Sequence, residues 1–311
     1  MRHRQRTGRS SRRWLASQIR ELALPAPFTV ARFQAWLEQH SQRRVRLVAA
    51  SMESGGPSGA LLRRGEADYL YYEAQTSPFH QAHIVLCLAA RLLLGEGAGM
   101  PVDPRLVADL SPRVIRLMLG DPASSMLTHA EAERFAFLVL TQARPGFSPA
   151  AARHAIGQLG PLHTGLLQAA PGVADTGAGG RREPARVRLY RQVIEIRDAA
   201  LALRPYRDPQ AAGTAARAAG LAGQDVAAAV EAAVLASAVR ARIGGHPARR
   251  TACATGPAGG YDLRGEAGWL VKVAHAWTQL GQPAGPVPDR SPENRAEGYD
   301  PSAGPPPSRL R

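Results

Sequence analysis

The chain has 311 residues, 45% of them hydrophobic but only 5% aromatic, and 39 Lys+Arg against 25 Asp+Glu give a net charge of +14. This length allows one large or two modest domains, and an apolar share carried by alanine points to helical cores. No run of about eighteen apolar residues occurs (the best, Ile84 to Leu94, is broken by Arg91), so no transmembrane helix is expected. The basic start, Met1 to Arg13, lacks the apolar segment of a secretory signal. Cys87 and Cys253 form no spaced framework, so a reducing, cytoplasmic setting is expected. Lysine occurs once, at Lys272; the preference for arginine has the look of GC-rich coding. Part of the charge is then compositional, and nucleic acid is not expected as a partner.

In chain order, residues 1–13 read as a basic disordered arm carrying Arg2, Arg4, Arg6, Arg9, Arg12 and Arg13. Peripheral contact with an acidic membrane face is one use for such an arm; a solvated tail is the plainer one. Trp14 to Leu24 predicts a short helix, stopped at Pro25 and Pro27. Thr29 suits an N-cap, and Phe33, Trp36 and Leu37 give Val30 to His40 helical spacing. Val45 to Val48 alternates like a strand. Gly59 to Arg63 and Asp68 to Glu73 flank Gly65-Glu66-Ala67 as a hairpin, with Tyr69, Tyr71 and Tyr72 supplying strand propensity. Ser77-Pro78 opens a helix running to about Leu94, and helical segments follow at 103–119 and 128–143. Residues 151–185 read as a connecting segment, a linker by composition from Pro171 to Ala185. Beyond it, Leu189, Val193, Ile196, Ala200 and Leu203 make a heptad-like stripe. Alanine-rich helices are expected over Gln210 to Leu221 and Asp225 to Ala241, the latter with an apolar face of Val226, Val230 and Ala233/Val234. A last helix is expected from Leu263 to Leu280, and residues 281–311 form a Pro/Gly-rich disordered tail.

The stretch from His80 to Leu93, preceded by Tyr71-Tyr72-Glu73 and Ser77-Pro78, resembles the motif helix of ImmA/IrrE-type zinc metallopeptidases in their actinobacterial branch. That family carries His-Glu-x-x-His, two histidines one turn apart that hold zinc and a glutamate base between them. Aligned without a gap, those positions are Cys87, Leu88 and Arg91. The family's further glutamate ligand corresponds to Glu131 in His129-Ala130-Glu131-Ala132. Leucine accepts no proton, and a permanently charged guanidinium does not ligate zinc. The resemblance, over residues 14–150, therefore implies a metallopeptidase-like domain without catalytic residues, and no cofactor is expected. Two substitutes for the lost centre are open. One is an Arg91–Glu131 ion pair at the former metal site; the other is a shifted zinc site of His83, Cys87 and Glu131.

The wording from Arg188 to Asp198, then Leu203-Arg204-Pro205-Tyr206, resembles an uncharacterised helical domain that follows the membrane spans of actinobacterial putative transporters, over residues 186–280. The fold expected is thus α+β, a small hairpin-containing sheet on a zincin-like motif helix, followed by a separate all-α bundle. The function implied by the first resemblance is an inactive, partner-binding regulator. Its partner would be a helix-turn-helix repressor or a component of a toxin–antitoxin-like module. Three alternatives are a metal-binding protein using the shifted site, a membrane-associated adaptor acting through residues 186–280, and a fused chain without a selected activity.

Overall fold

The structure, a computed structural model, describes residues 30–52, 56–94, 129–142, 147–173, 183–208, 210, 224–249 and 260–280. The basic arm, the helices expected at 14–24, 103–119 and (beyond Gln210) to Leu221, and the tail lie outside the described residues.

The fold is α+β, mostly helical with one small sheet. Helix α1 (Val30–Ser41) buries Phe33 and Leu37 fully, and Trp36 stacks between Phe33 and His40 along its flank. Strands β1 (Arg44–Ala50), β2 (Gly59–Arg64) and β3 (Ala67–Glu73) form a three-stranded sheet in the order β1-β3-β2. The expected hairpin pairs β2 with β3 antiparallel, Arg64 opposite Ala67, while β1 lies parallel to β3 on its other edge. The motif helix α2 (Pro78–Leu94) packs on one face of this sheet, and α3 (His129–Gln142) packs along α2 through Ala132, Phe135, Ala136 and Val139.

The second half is a helical bundle of α4 (Pro149–Ala169), α5 (Ala185–Ala202), α6 (Gln224–Ile243) and α7 (Leu263–Gln279). Helix α4 falls where composition predicts a connecting segment. Its start follows local rules: Ser148 Oγ accepts from Ala151 N–H at 3.1 Å, with Pro149 in the first turn. Its buried residues, Ala152, Ala155, Leu159, Leu162 and Leu166, recur at helical spacing. Pro161 and several glycines weaken its intrinsic propensity, but packing against α5 and α7 outweighs that.

The stripe expected on α5 is all core: Leu189, Val193, Ile196, Ala200 and Leu203 are at most 5% exposed. The face expected on α6 needs correction. Of Val226, Val230, Ala233 and Val234, only Val234 is buried; the inward face is Ala228, Ala232, Leu235 and Val239.

The two halves are not separate bodies. One core lies between the sheet, α1, α2 and α3, and a second lies within the bundle. Phe79, in the first turn of α2, belongs to the second core and packs edge-on against Tyr190 of α5, as does Phe137 of α3.

Close packing within the bundle sets a first prediction. A Cβ at Gly165 would fall 2.5 Å from Cζ2 of the buried Trp277, whereas one at Gly157 meets nothing within 4 Å. Gly165→Ala should lower the free energy of unfolding by about 1–3 kcal/mol in urea titration. Gly157→Ala should raise it by about 0.5–1 kcal/mol. Equal effects at the two positions would contradict this packing.

Candidate functional site

Three elements converge on the start of α2. Glu266, in the first turn of α7, has no exposed surface. One of its oxygens accepts from Ser77 Oγ at 2.9 Å and from Arg197 Nε of α5; the other accepts from Gly260 N–H at 2.8 Å. Ser77 Oγ in turn accepts from the His80 backbone N–H at 3.3 Å, and Phe79 N–H donates to Gly260 O at 3.1 Å. A second bridge stands at the end of β3. Glu73 accepts from the backbone N–H groups of Met52 and Gln75 at 2.9 and 2.7 Å, and lies 3.0 Å from Arg204, which also donates to Met52 O. Buried charges survive only when paired and hydrogen-bonded, and both carboxylates here satisfy that condition.

Along α2, one turn apart, the rings of His80 and His83 stack at 5.7 Å, both buried. His80 Nδ1 is 2.8 Å from Thr76 Oγ1, and its Nε2 lies 3.3 Å from Asp198 Oδ1, short of hydrogen-bond alignment. His83 Nδ1 shares a 2.6 Å hydrogen bond with the Tyr190 hydroxyl, and Cys87 Sγ is 3.6 Å from His83 Nε2. Burial pushes the Cys87 thiol well above its usual range; Glu133 and Asp198 add to this and Arg91 opposes it. Burial likewise raises the Tyr190 phenol, with Cys87, Glu133 and Asp198 adding to it. Both groups therefore hold their protons at neutral pH. A protonated thiol is a poor nucleophile and a poor metal ligand, so this column orders hydrogen bonds rather than activating a reactive group.

The motif positions take their character from their neighbours. Leu88 is 5% exposed and faces β2, where a Cβ on Gly59 would fall 3.0 Å from Leu88 Cδ1 and 2.6 Å from Ile84 Cγ2. Arg91 is half-buried beside Cys87. Among the ion pairs of the described residues, none joins Arg91 to Glu131; α2 and α3 meet through apolar packing instead. Of the shifted set, His83 and Cys87 are neighbours, and the His83 ring is engaged by Tyr190. Among the described residues no three His, Cys, Asp or Glu side chains are grouped to hold a metal. A leucine, a guanidinium and a protonated thiol do not fit zinc, so no step is derived through that ion.

Sequence reasoning missed Ser77, Tyr190, Arg197, Asp198, Arg204 and Glu266. One signal was available: Arg197 directly follows Ile196, a stripe residue, so its charge falls beside the apolar face of α5.

Comparison with known proteins touches only the bundle. A family of unknown function, DUF6545, matches residues 150–279. No curated protein and no solved structure matches the chain. The matched span runs from the first turn of α4 to the last residue of α7, so the likeness covers the whole bundle, including the helix that falls in the expected connecting segment.

This network can be tested at two points. Glu266→Gln leaves Arg197 buried without its counter-charge and should cost about 3–5 kcal/mol, whereas Arg197→Met with Glu266→Leu should cost much less. Equal losses in urea titration would show that the pair is not the cause. Because the Cys87 thiol is raised in the fold, its contribution is present at neutral pH and lost as pH rises past about 8.5, the value of an unfolded thiol. Cys87→Ala should therefore flatten the fall of stability between about pH 8.5 and 10; a curve parallel to the wild type would refute the assignment.

Proposed function

We propose that the chain is a non-catalytic regulatory protein that acts by binding a partner through a metallopeptidase-like N-terminal half. The observation that carries this reading is the setting of Leu88. At the position where the resembling family places its general base, the side chain is packed against β2 and buried. The position is filled by core, not by a cleft that lacks one residue. Cys87 with its proton retained, and Arg91 with its fixed charge, point the same way. The partner class comes from the resemblance: a helix-turn-helix regulator or a toxin–antitoxin-like component, bound and left intact.

Metal content tests this directly. Wild type should carry less than about 0.1 zinc per chain and cleave no peptide, while Cys87→His/Leu88→Glu/Arg91→His should gain metal at the cost of stability, because Leu88→Glu buries a carboxylate. About one zinc per wild-type chain, or hydrolysis of a helix-turn-helix regulator, would overturn the reading. A stable complex with an uncut regulator on gel filtration is the result expected of the partner-binding half.

A further inference from the structure

We propose that the outer face of the three-stranded sheet binds single-stranded nucleic acid. This goes beyond the regulatory reading and does not depend on it. Strand alternation divides the sheet into two faces. Toward α1 and α2 it turns Val45, Leu70 and Tyr72, with the buried Asp68 held at 3.0 Å by both Arg43 and Arg63. The opposite face carries Arg44, Arg46 and Val48 on β1, Tyr69 and Tyr71 on the central strand, and Ala60, Leu62 and Arg64 on β2, with Ala60 buried. The register sets them in rows: Arg46, Tyr69 and Leu62 lie abreast, and Arg44 and Arg64 flank Ala67.

Two observations point to this face. First, its arginines differ from several that lie inside the fold. Inside, Arg43 and Arg63 pair with Asp68, Arg197 with Glu266, Arg204 with Glu73 and Arg207 with Glu231. Among the described residues, no ion pair or side-chain hydrogen bond is formed by Arg44, Arg46 or Arg64, all three exposed. GC-rich coding explains how many arginines the chain has, but not why three unpaired ones flank a tyrosine strand. Second, the Tyr69 and Tyr71 rings lie near-parallel at 6.4 Å, partly exposed, two residues apart on one face. The spacing presents two aromatic rings in succession along the central strand; Arg46 lies beside Tyr69, Arg44 and Arg64 one pair nearer the hairpin turn, and Val48 and Ala60 beside Tyr71. Bases stack on such rings whatever their identity, and guanidinium groups take the phosphates between them. The face is bounded by Glu66 in the hairpin turn and by the Glu73–Arg204 bridge at its far end, so the positive strip runs across the strands between them.

The test is fluorescence anisotropy of the full chain with labelled oligouridine of about 12 nucleotides at low salt. Micromolar binding is expected. Arg44→Gln/Arg46→Gln/Arg64→Gln should weaken it at least about thirtyfold and lower the salt slope by about 2. Tyr69→Leu/Tyr71→Leu should weaken it at least about tenfold with the slope kept, while Tyr69→Phe/Tyr71→Phe stays within about twofold. The arginines are exposed and the phenylalanine exchange keeps both rings, so neither of those variants disturbs the core. Absence of binding would overturn the proposal. So would binding that survives the face variants but is lost when the six arm arginines are changed to glutamine. Retention on phosphatidylserine vesicles without oligonucleotide binding would assign the arginines to a membrane surface and likewise overturn it.

Discussion

A carboxylate with no exposed surface, Glu266, is held inside this fold by partners that three elements supply. Arg197 comes from α5, the Ser77 hydroxyl from the turn before α2, and the Gly260 amide from the approach to α7. None of the three is near another in sequence. The interaction therefore fixes the bundle to the motif helix at one defined place, and the rest of α2 inherits that placement: Phe79 enters the second core, His83 meets Tyr190, and Asp198 stands beside His80. Buried ion pairs add little net stability over a well-packed apolar contact, but removing one partner is costly. Their effect here is on geometry: a slip of α5 by one residue would withdraw Arg197 from its carboxylate.

The same placement decides what the motif helix can do. A helix that anchors two cores has its faces committed. One face takes Ile84 and Leu88 to the sheet, one takes His80 and His83 to the bundle, and α3 covers a third. Reactive chemistry needs a side chain that can change protonation or ligation cheaply. Burial works against this at Cys87 and Tyr190, both held in the neutral form. Recognition makes no such demand.

Much of the scaffold was legible in the sequence because it follows local rules. The hairpin announced itself through turn residues between tyrosine-rich runs, and the stripe on α5 through its spacing. Element ends marked by Pro78 and Ser77 fell where those residues allow a helix to begin. The parts that stayed hidden depend on pairs distant in sequence. Arg197 and Glu266 each look like a surface charge until the other is placed beside it. Helix α4 was hidden for a different reason: its glycines and Pro161 weaken helix propensity, while the pattern that builds it, alanines and leucines at helical spacing, has meaning only against α5 and Trp277. On α6 the buried face includes Ala228 and Ala232, small residues whose place in the core the apolar pattern does not mark.

Phe79 has a consequence for how such a chain can change over generations. It belongs by sequence to the first half and by packing to the second. Two modules merely joined end to end can be exchanged by recombination at the join, each keeping its own interior. Here an exchange on either side would leave an aromatic ring without its pocket, or a pocket without its ring, and would strand Glu266 or Arg197 as well. The two halves thus share an interior, and a change at Phe79, Arg197 or Glu266 is felt on both sides of the seam.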